Sequence, residues 1–372
     1  MSQHVKHQSG LDALAPYVPG TPAEEVQRQY GLEDVIKLAS NENPLGPAPK
    51  AVEAIRKALP RLNTYPDGES RDLRQALASF LDVAPSHVTV GNGADGIIMG
   101  ICMAYLDEDS EVVVSRSSFP VYDIYTRVMR AHLIKTALRE YRLDLDAMAE
   151  AITPRTRLVF VCNPNNPTGT IVTGDEVSAF MGRVPDHVLV VFDEAYYELV
   201  DADDFPDTLA YVREGRRNVL VLRTFSKVFG LAGVRLGYGM AVPEVLEPLQ
   251  RVKEPFAVNL LAQAAGIGAL EDEAFLKRTV EMNRREREYL YAQFEELGLE
   301  VVPSHTNFIL VKLGPDACVV QEALKRKGVI VRPCAGYDIP QFLRITVGDR
   351  AQNMRLVSAL ETVLGEVAGV RS

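Results

Sequence analysis

Val219-Leu220-Val221-Leu222, closed by Thr224-Phe225-Ser226-Lys227, is the stretch whose reading decides the fold. An unbroken apolar run of this length reads as a strand covered on both faces, and the polar cluster behind it as the strand's carboxyl end. Two other runs are built the same way. Leu158-Val159-Phe160-Val161 leads into Asn163-Pro164-Asn165-Asn166-Pro167-Thr168-Gly169, and Val188-Leu189-Val190-Val191-Phe192 leads into Asp193-Glu194-Ala195-Tyr196. In an open α/β sheet, ligands bind outside the carboxyl ends of the strands. Three neighbouring strands would thus bring a lysine, an aspartate, a tyrosine and an asparagine to one place.

Strand and helix alternate outward from these runs. Val88-Thr89-Val90 and residues 111–115 read as strands, and residues 95–105 and 121–129 as helices. This order gives βαβ units and an α/β fold with a mostly parallel central sheet and right-handed crossovers. Ahead of it, residues 1–30 read as an N-terminal arm with turns at Pro16, Pro19-Gly20 and Pro22. Helices are expected over 49–59 and 70–81, the second with Leu73, Leu77, Phe80 and Leu81 on one face. Helical character dominates 244–297. Strands follow at 307–311, 329–331 and 342–347, with helices at 317–327 and 351–364. The tail reads as a smaller α+β domain. The expected division is a large domain over 45–250 and a small one from 31–44 plus 251–372.

Of the 372 residues, 47% are apolar and 24% charged, the balance of an ordinary soluble globular protein. The net charge of −10 is spread without a basic cluster, which argues against nucleic acid or an anionic membrane as partner. Cys102, Cys162, Cys318 and Cys334 show no CxxC spacing and read as buried free thiols. Six histidines without an HExxH pattern give no support to a metal site. The polar start, Met1-Ser2-Gln3-His4, lacks a signal region, and no apolar run is long enough to span a bilayer. The expected compartment is the cytoplasm.

Several motifs carry chemistry. Gly91-Asn92-Gly93-Ala94-Asp95-Gly96 matches GxGxxG, yet the next strand ends in Ser115-Arg116 rather than in the acid that a dinucleotide ribose requires. A single phosphate at a helix N-terminus is the simpler functional reading, beside a plain tight turn. Asp193 at the end of an apolar strand is costly without a partner and suits a protonated pyridine nitrogen, or else a capping or ion-pair role. Lys227 follows a buried-looking strand and precedes Gly230, Gly233, Gly237 and Gly239. A lysine near an aldehyde and cationic groups has a lowered pKa and becomes nucleophilic, the alternative being the commoner surface lysine. Ser226 and Arg235 stand nearby as phosphate ligands. Arg344, inside Phe342-Leu343-Arg344-Ile345, offers a bidentate fork to a carboxylate. Arg332 is a second buried-looking arginine, read equally well as a structural ion pair.

Together these motifs resemble the fold-type I aminotransferases that use pyridoxal 5'-phosphate (PLP), and within them the histidinol-phosphate aminotransferases. Tyr17-Val18-Pro19-Gly20, Ser40-Asn41-Glu42-Asn43-Pro44 and Tyr65-Pro66-Asp67-Gly68 extend the resemblance over nearly the whole chain. The resemblance implies that Lys227 bonds the cofactor and shuttles a proton, Asp193 pairs with the pyridine nitrogen, and Asn166 and Tyr196 bond the ring hydroxyl. It implies Phe119 stacking on the ring, where many relatives carry tyrosine. Gly93, Ala94, Asp95, Thr224, Ser226 and Arg235 would hold the phosphate, joined by Tyr65 from the other subunit of a homodimer. Arg344 would take the α-carboxylate of glutamate, and Tyr17, Asn43 and Arg332 would contact substrate. The implied reaction exchanges an amino group between L-histidinol phosphate and 2-oxoglutarate, a step of histidine biosynthesis.

Aromatic amino-acid aminotransferases and a threonine-phosphate decarboxylase share these motifs. An NADP-dependent oxidoreductase would leave Lys227, Asp193 and the 163–169 turn without a role. A non-catalytic PLP-binding regulator would be expected to carry a basic helix-turn-helix segment, and none precedes residue 40.

Overall fold

Six strands of the central sheet point one way and a seventh opposes them. The computed structural model describes Val5, residues 7–12, Leu14 and residues 20–369. Within it the strands are β1 (Ile36–Leu38), β2 (Val88–Asn92), β3 (Glu111–Ser115), β4 (His132–Thr136), β5 (Leu138–Arg139), β6 (Arg142–Leu143) and β7 (Thr156–Cys162). They continue as β8 (Leu189–Asp193), β9 (Val219–Thr224), β10 (Leu236–Met240), β11 (Glu300–Val302), β12 (Phe308–Lys312), β13 (Val329–Pro333) and β14 (Phe342–Thr346). The first helices are α1 (Ala23–Tyr30), α2 (Pro49–Ala58), α3 (Arg71–Leu81), α4 (Gly93–Tyr105) and α5 (Val121–Val128).

The large sheet runs β2-β10-β9-β8-β7-β3-β4. Its central strands are buried on both sides, as their unbroken apolar runs require. Val159, Val161, Val190, Phe192, Val219 and Val221 belong to one core layer. Leu158, Phe160, Leu189, Val191, Leu220 and Leu222 belong to the layer on the opposite face. Each such side chain contributes about 1.5–3 kcal/mol by leaving water. The sheet is thereby fixed in register, and its carboxyl ends share one edge.

Strand β10 was not expected from sequence. Leu236-Gly237-Tyr238-Gly239-Met240 carries two glycines, which strands disfavour. It pairs antiparallel with both β9 and β2. The link back from β9 holds only residues 225–235, too short for the crossover that parallel pairing needs. The reversal has a consequence for the site: Arg235, just ahead of β10, lands at the edge where the other strands end. Edge strand β4 also escaped the sequence reading, because His132 and Lys135 break its apolar pattern.

The small sheet runs β1-β13-β14-β12-β11, with β1 parallel to β13 and the rest antiparallel. Its core includes Leu38, Ile309, Val311, Val329, Val331, Leu343 and Ile345. Two expectations are corrected. Phe80 is 42% exposed and Ala78 is buried beside Leu73, Leu77 and Leu81, because Phe80 falls at the margin of the face those leucines define. Cys318 is exposed, whereas Cys102, Cys162 and Cys334 are buried as free thiols. Among the described residues no helix is long and apolar enough to cross a membrane.

The join between β10 and α4 is tight. A Cβ on Gly237 would lie 2.3 Å from the Ala94 backbone nitrogen and 2.6 Å from the Gly93 carbonyl carbon. Backbone cannot yield as a flexible side chain does, so Gly237→Ala is expected to cost about 2–3 kcal/mol in denaturant titrations. Gly365→Ala, at an exposed position of the final helix with nothing near its Cβ, should instead raise stability by about 0.5–1 kcal/mol.

Candidate active site

The shared strand edge faces β13 and β14 across a cavity of about 260 Å³. From the large sheet come Ala94, Asp95, Phe119, Asn166, Asp193, Tyr196, Thr224, Ser226, Lys227 and Arg235. Arg332, Tyr337 and Arg344 come from the small sheet side, and Ala39 to Glu42 from the segment after β1. A neighbouring hollow of about 270 Å³ shares Asp95 and Arg235 but is lined largely by α4 and residues 249–257. Size does not separate the two; the chemistry lies in the first.

Three charged groups open on that cavity without an ion-pair partner among the described residues. Among the described residues Lys227 makes no hydrogen bond through its amine, which lies 5.6 Å from the centre of the Tyr196 ring. Burial, then the nearby Arg344 guanidinium, lower its pKa to about 8. Asp193 is 3% exposed. Burial raises its carboxyl to about 6, against the pull of the Tyr122 hydroxyl and the Ala195 N–H. Tyr122 donates to Asp193 Oδ2 at 2.6 Å, and Ala195 N to Oδ1 at 3.2 Å. Arg344 is also buried. It donates through Nη1 to Asn166 Oδ1 (2.5 Å) and the Tyr337 hydroxyl (3.2 Å), and through Nη2 to the Ala39 carbonyl (2.9 Å). Its Nε has no hydrogen-bond partner among the described residues.

Arg332 and Arg344 stand directly opposite each other across β13 and β14. Their opposition places two cationic side chains on one face of the small sheet. The Tyr196 hydroxyl, whose pKa burial pushes up, accepts from Asn41 Nδ2 at 2.9 Å. Asn41, at φ 56°, bonds in turn to Thr346 and Asn307 of the small sheet.

At the other end of the cavity lies an anion cradle. Gly93, at φ 72°, opens the thirteen-residue α4. The N–H groups of a helix's first turn have no intrahelical acceptor and attract negative charge. Thr224 Oγ1 and Ser226 Oγ lie 3.1 Å apart beside it. Arg235 reaches Asp95 Oδ2 at 3.1 Å.

Most of the residues singled out from sequence line this cavity. Gly93 forms the turn behind it. Asn43 does not line it: its amide donates to the Val228 carbonyl at 2.9 Å and to Thr279 Oγ1 at 3.3 Å, pinning the chain behind Lys227. Tyr65 is 80% exposed and stacks on Phe256, with ring centres 4.6 Å apart, away from the cavity. Tyr17 lies outside the described residues. Sequence reading missed Tyr122, Asn41 and Tyr337. The last two sit in or near quoted motifs, but only their hydrogen-bond partners, Tyr196 and Arg344, reveal them.

A strand edge presenting an unpaired lysine, a buried carboxylate and an anion cradle, faced by two arginines, defines an aminotransferase of class I and II. The family description "Aminotransferase class I and II" matches residues 33–360, and the chain belongs to that family. Within it, the chain belongs with the histidinol-phosphate aminotransferases. That of Moorella thermoacetica is 51% identical over 359 residues, spanning 96% of this chain and 93% of its own length. That of Symbiobacterium thermophilum is 46% identical over 354 residues, spanning 95% and 97%. The crystal structure of the Sinorhizobium meliloti enzyme in complex with pyridoxal-5'-phosphate superposes with a TM-score of 0.89 at 29% identity, covering 98% of this chain and 99% of that one.

The lowered pKa of Lys227 means that its protonated form is penalised in the fold. The penalty is full below about pH 8 and fades as pH rises toward the unfolded value near 10.4. Lys227→Met should therefore stabilise the cofactor-free protein by about 1 kcal/mol at pH 7, a gain that shrinks between pH 8 and 10.5. Thermal melting across that range measures it.

Proposed function

We propose that this chain transfers the amino group of L-histidinol phosphate to 2-oxoglutarate, giving imidazole acetol phosphate and L-glutamate, with PLP as cofactor. The observation that carries the reading is the set of three charges, Lys227, Asp193 and Arg344, that open on one cavity without counter-ions among the described residues. Each lacks what PLP and an amino-acid substrate bring: an aldehyde, a protonated ring nitrogen and a carboxylate.

PLP, when bound, supplies the aldehyde that takes up the amino group and a ring that accepts the electron pair of the broken C–H bond. Lys227 Nζ, unprotonated in a useful fraction near neutral pH, takes the proton from the substrate α-carbon and hands it on. Asp193, ionised, keeps the proton on the ring nitrogen. Asn166 and Tyr196 orient the ring hydroxyl, and Phe119 covers the ring face. Gly93, Ala94, Asp95, Thr224, Ser226 and Arg235 hold the phosphate. Arg344 binds the glutamate carboxylate with its fork, and Arg332 beside it answers the phosphate of the other substrate.

Residues 45–250 serve as the cofactor-binding unit, and residues 31–44 with 251–372 as the unit that carries the substrate arginines. The enzyme works in the cytoplasm as a homodimer, with Tyr65 of one subunit completing the phosphate site of the other. The exposed Tyr65, Phe256, Leu59 and Leu62 support that assembly.

A visible absorption spectrum of the PLP-loaded protein tests the assignment. The band should bleach with L-histidinol phosphate and return with 2-oxoglutarate. Bleaching by glutamate but not by histidinol phosphate would overturn the substrate, and release of carbon dioxide would point to a decarboxylase. Arg344→Ala should lower kcat/KM for glutamate by roughly 100-fold. Removing that cation should also move the Lys227 titration upward from about 8. Full glutamate turnover in this variant would sink the assignment of Arg344.

A further inference from the structure

We propose that Tyr122 is a positioning residue for Asp193: its hydroxyl keeps that carboxylate charged and aimed, and its ring supports Phe119. The inference rests on the reading that Asp193 meets the ring nitrogen of the cofactor. Tyr122 is the second residue of α5 and is 1% exposed. Its ring is stacked on Phe160, with centres 4.5 Å apart and planes at 11°. The edge of Phe119 meets it at 5.6 Å and 84°. Held between these rings, the hydroxyl is delivered to Asp193 Oδ2 at 2.6 Å. One side chain thus ties the residue under the nitrogen to the residue over the ring face.

The surroundings of Asp193 explain why such a donor is needed. Cys162 stands directly opposite it in the β7–β8 register, its thiol kept protonated because burial pushes its pKa up to about 12. Asp95 and Glu194 add negative charge nearby and oppose ionisation. Lys227 and Tyr196 line the same cavity, but among the described residues neither makes a hydrogen bond to the carboxylate. The Tyr122 hydroxyl and the Ala195 N–H are therefore the donors that hold the anion. Burial and the Asp193 charge raise the Tyr122 hydroxyl well above its ordinary pKa, so it remains a donor throughout the working range.

Loss of that donor raises the Asp193 pKa. The acid-side loss of cofactor affinity then moves to higher pH. The experiment is an equilibrium titration of the cofactor-free protein with PLP from pH 5 to 9, for wild type, Tyr122→Phe, Asp193→Asn and the double variant. Tyr122→Phe keeps the ring and its packing. It should weaken PLP binding about 10- to 100-fold at pH 7 and move the acid limb up by about one unit. In the Asp193→Asn background the same change should cost less than about threefold, since no charge is left to hold. Unchanged affinity and an unmoved acid limb in Tyr122→Phe would overturn the assignment. So would an equal loss in both backgrounds, which would reduce Tyr122 to packing. If Asp193→Asn binds PLP as tightly as wild type, the reading of Asp193 itself fails and this inference with it. A weakened Asp193→Asn beside an unaffected Tyr122→Phe brings down the inference alone.

Discussion

Charges held in a low-dielectric cavity without counter-ions are the constraint around which this structure is arranged. Bringing a carboxylate or a guanidinium out of water costs several kcal/mol unless partners compensate. Elsewhere in the chain several such groups are ion-paired. Arg223 and Glu194, both nearly inaccessible, meet at 2.9 Å, and buried Glu286 is taken up by Arg350, Arg285 and Asn353. At the cavity they are held by neutral donors and acceptors instead: a tyrosine hydroxyl, an asparagine oxygen and backbone groups. Neutral partners fix geometry without cancelling charge, which leaves the charge for a ligand. Perturbed titration clustered in one cleft is the physical signature of such a site.

The two sheets meet through the site rather than beside it. Arg344 donates to Asn166 on the large-sheet side and to Ala39 after β1. Asn41 links Thr346 and Asn307 of the small sheet to the Tyr196 hydroxyl. Gly169 closes the turn that carries Asn166, and Ser304 packs so near that a Cβ there would lie 2.2 Å from its hydroxyl. The groups that would orient a cofactor ring are therefore bonded to the strand that would hold a substrate. On the proposed reading, a substrate engaging Arg344 would act on Asn166 through the same hydrogen bond.

Much of this was legible in the chain because apolar runs end in polar clusters. Lys227, Asp193 and Asn166 stand at or just beyond the ends of buried strands, where an exposed or paired reading has the weakest support. Their convergence follows from parallel strands sharing one edge. What stayed hidden was hidden for physical reasons. β10 is disguised by Gly237 and Gly239, present because α4 and β2 press against the strand. Tyr122 sits in an ordinary amphipathic helix, and nothing local marks its hydroxyl as aimed at Asp193. In Ser40-Asn41-Glu42-Asn43, the sequence offers two asparagines of equal chemistry. The left-handed backbone at Asn41 turns that one toward Tyr196, while the Asn43 amide is spent on Val228 and Thr279.

The sequence by itself determined the α/β class, the strand ends that carry chemistry and the types of group available there, because periodicity and burial are local properties of the chain. Tertiary structure decided which of those groups remain without a counter-ion. That depends on contacts between residues far apart in sequence: Tyr122 with Asp193, and Arg344 with Asn166. Free charge in a cavity is a property of the whole enclosure, and no single stretch of the chain contains it.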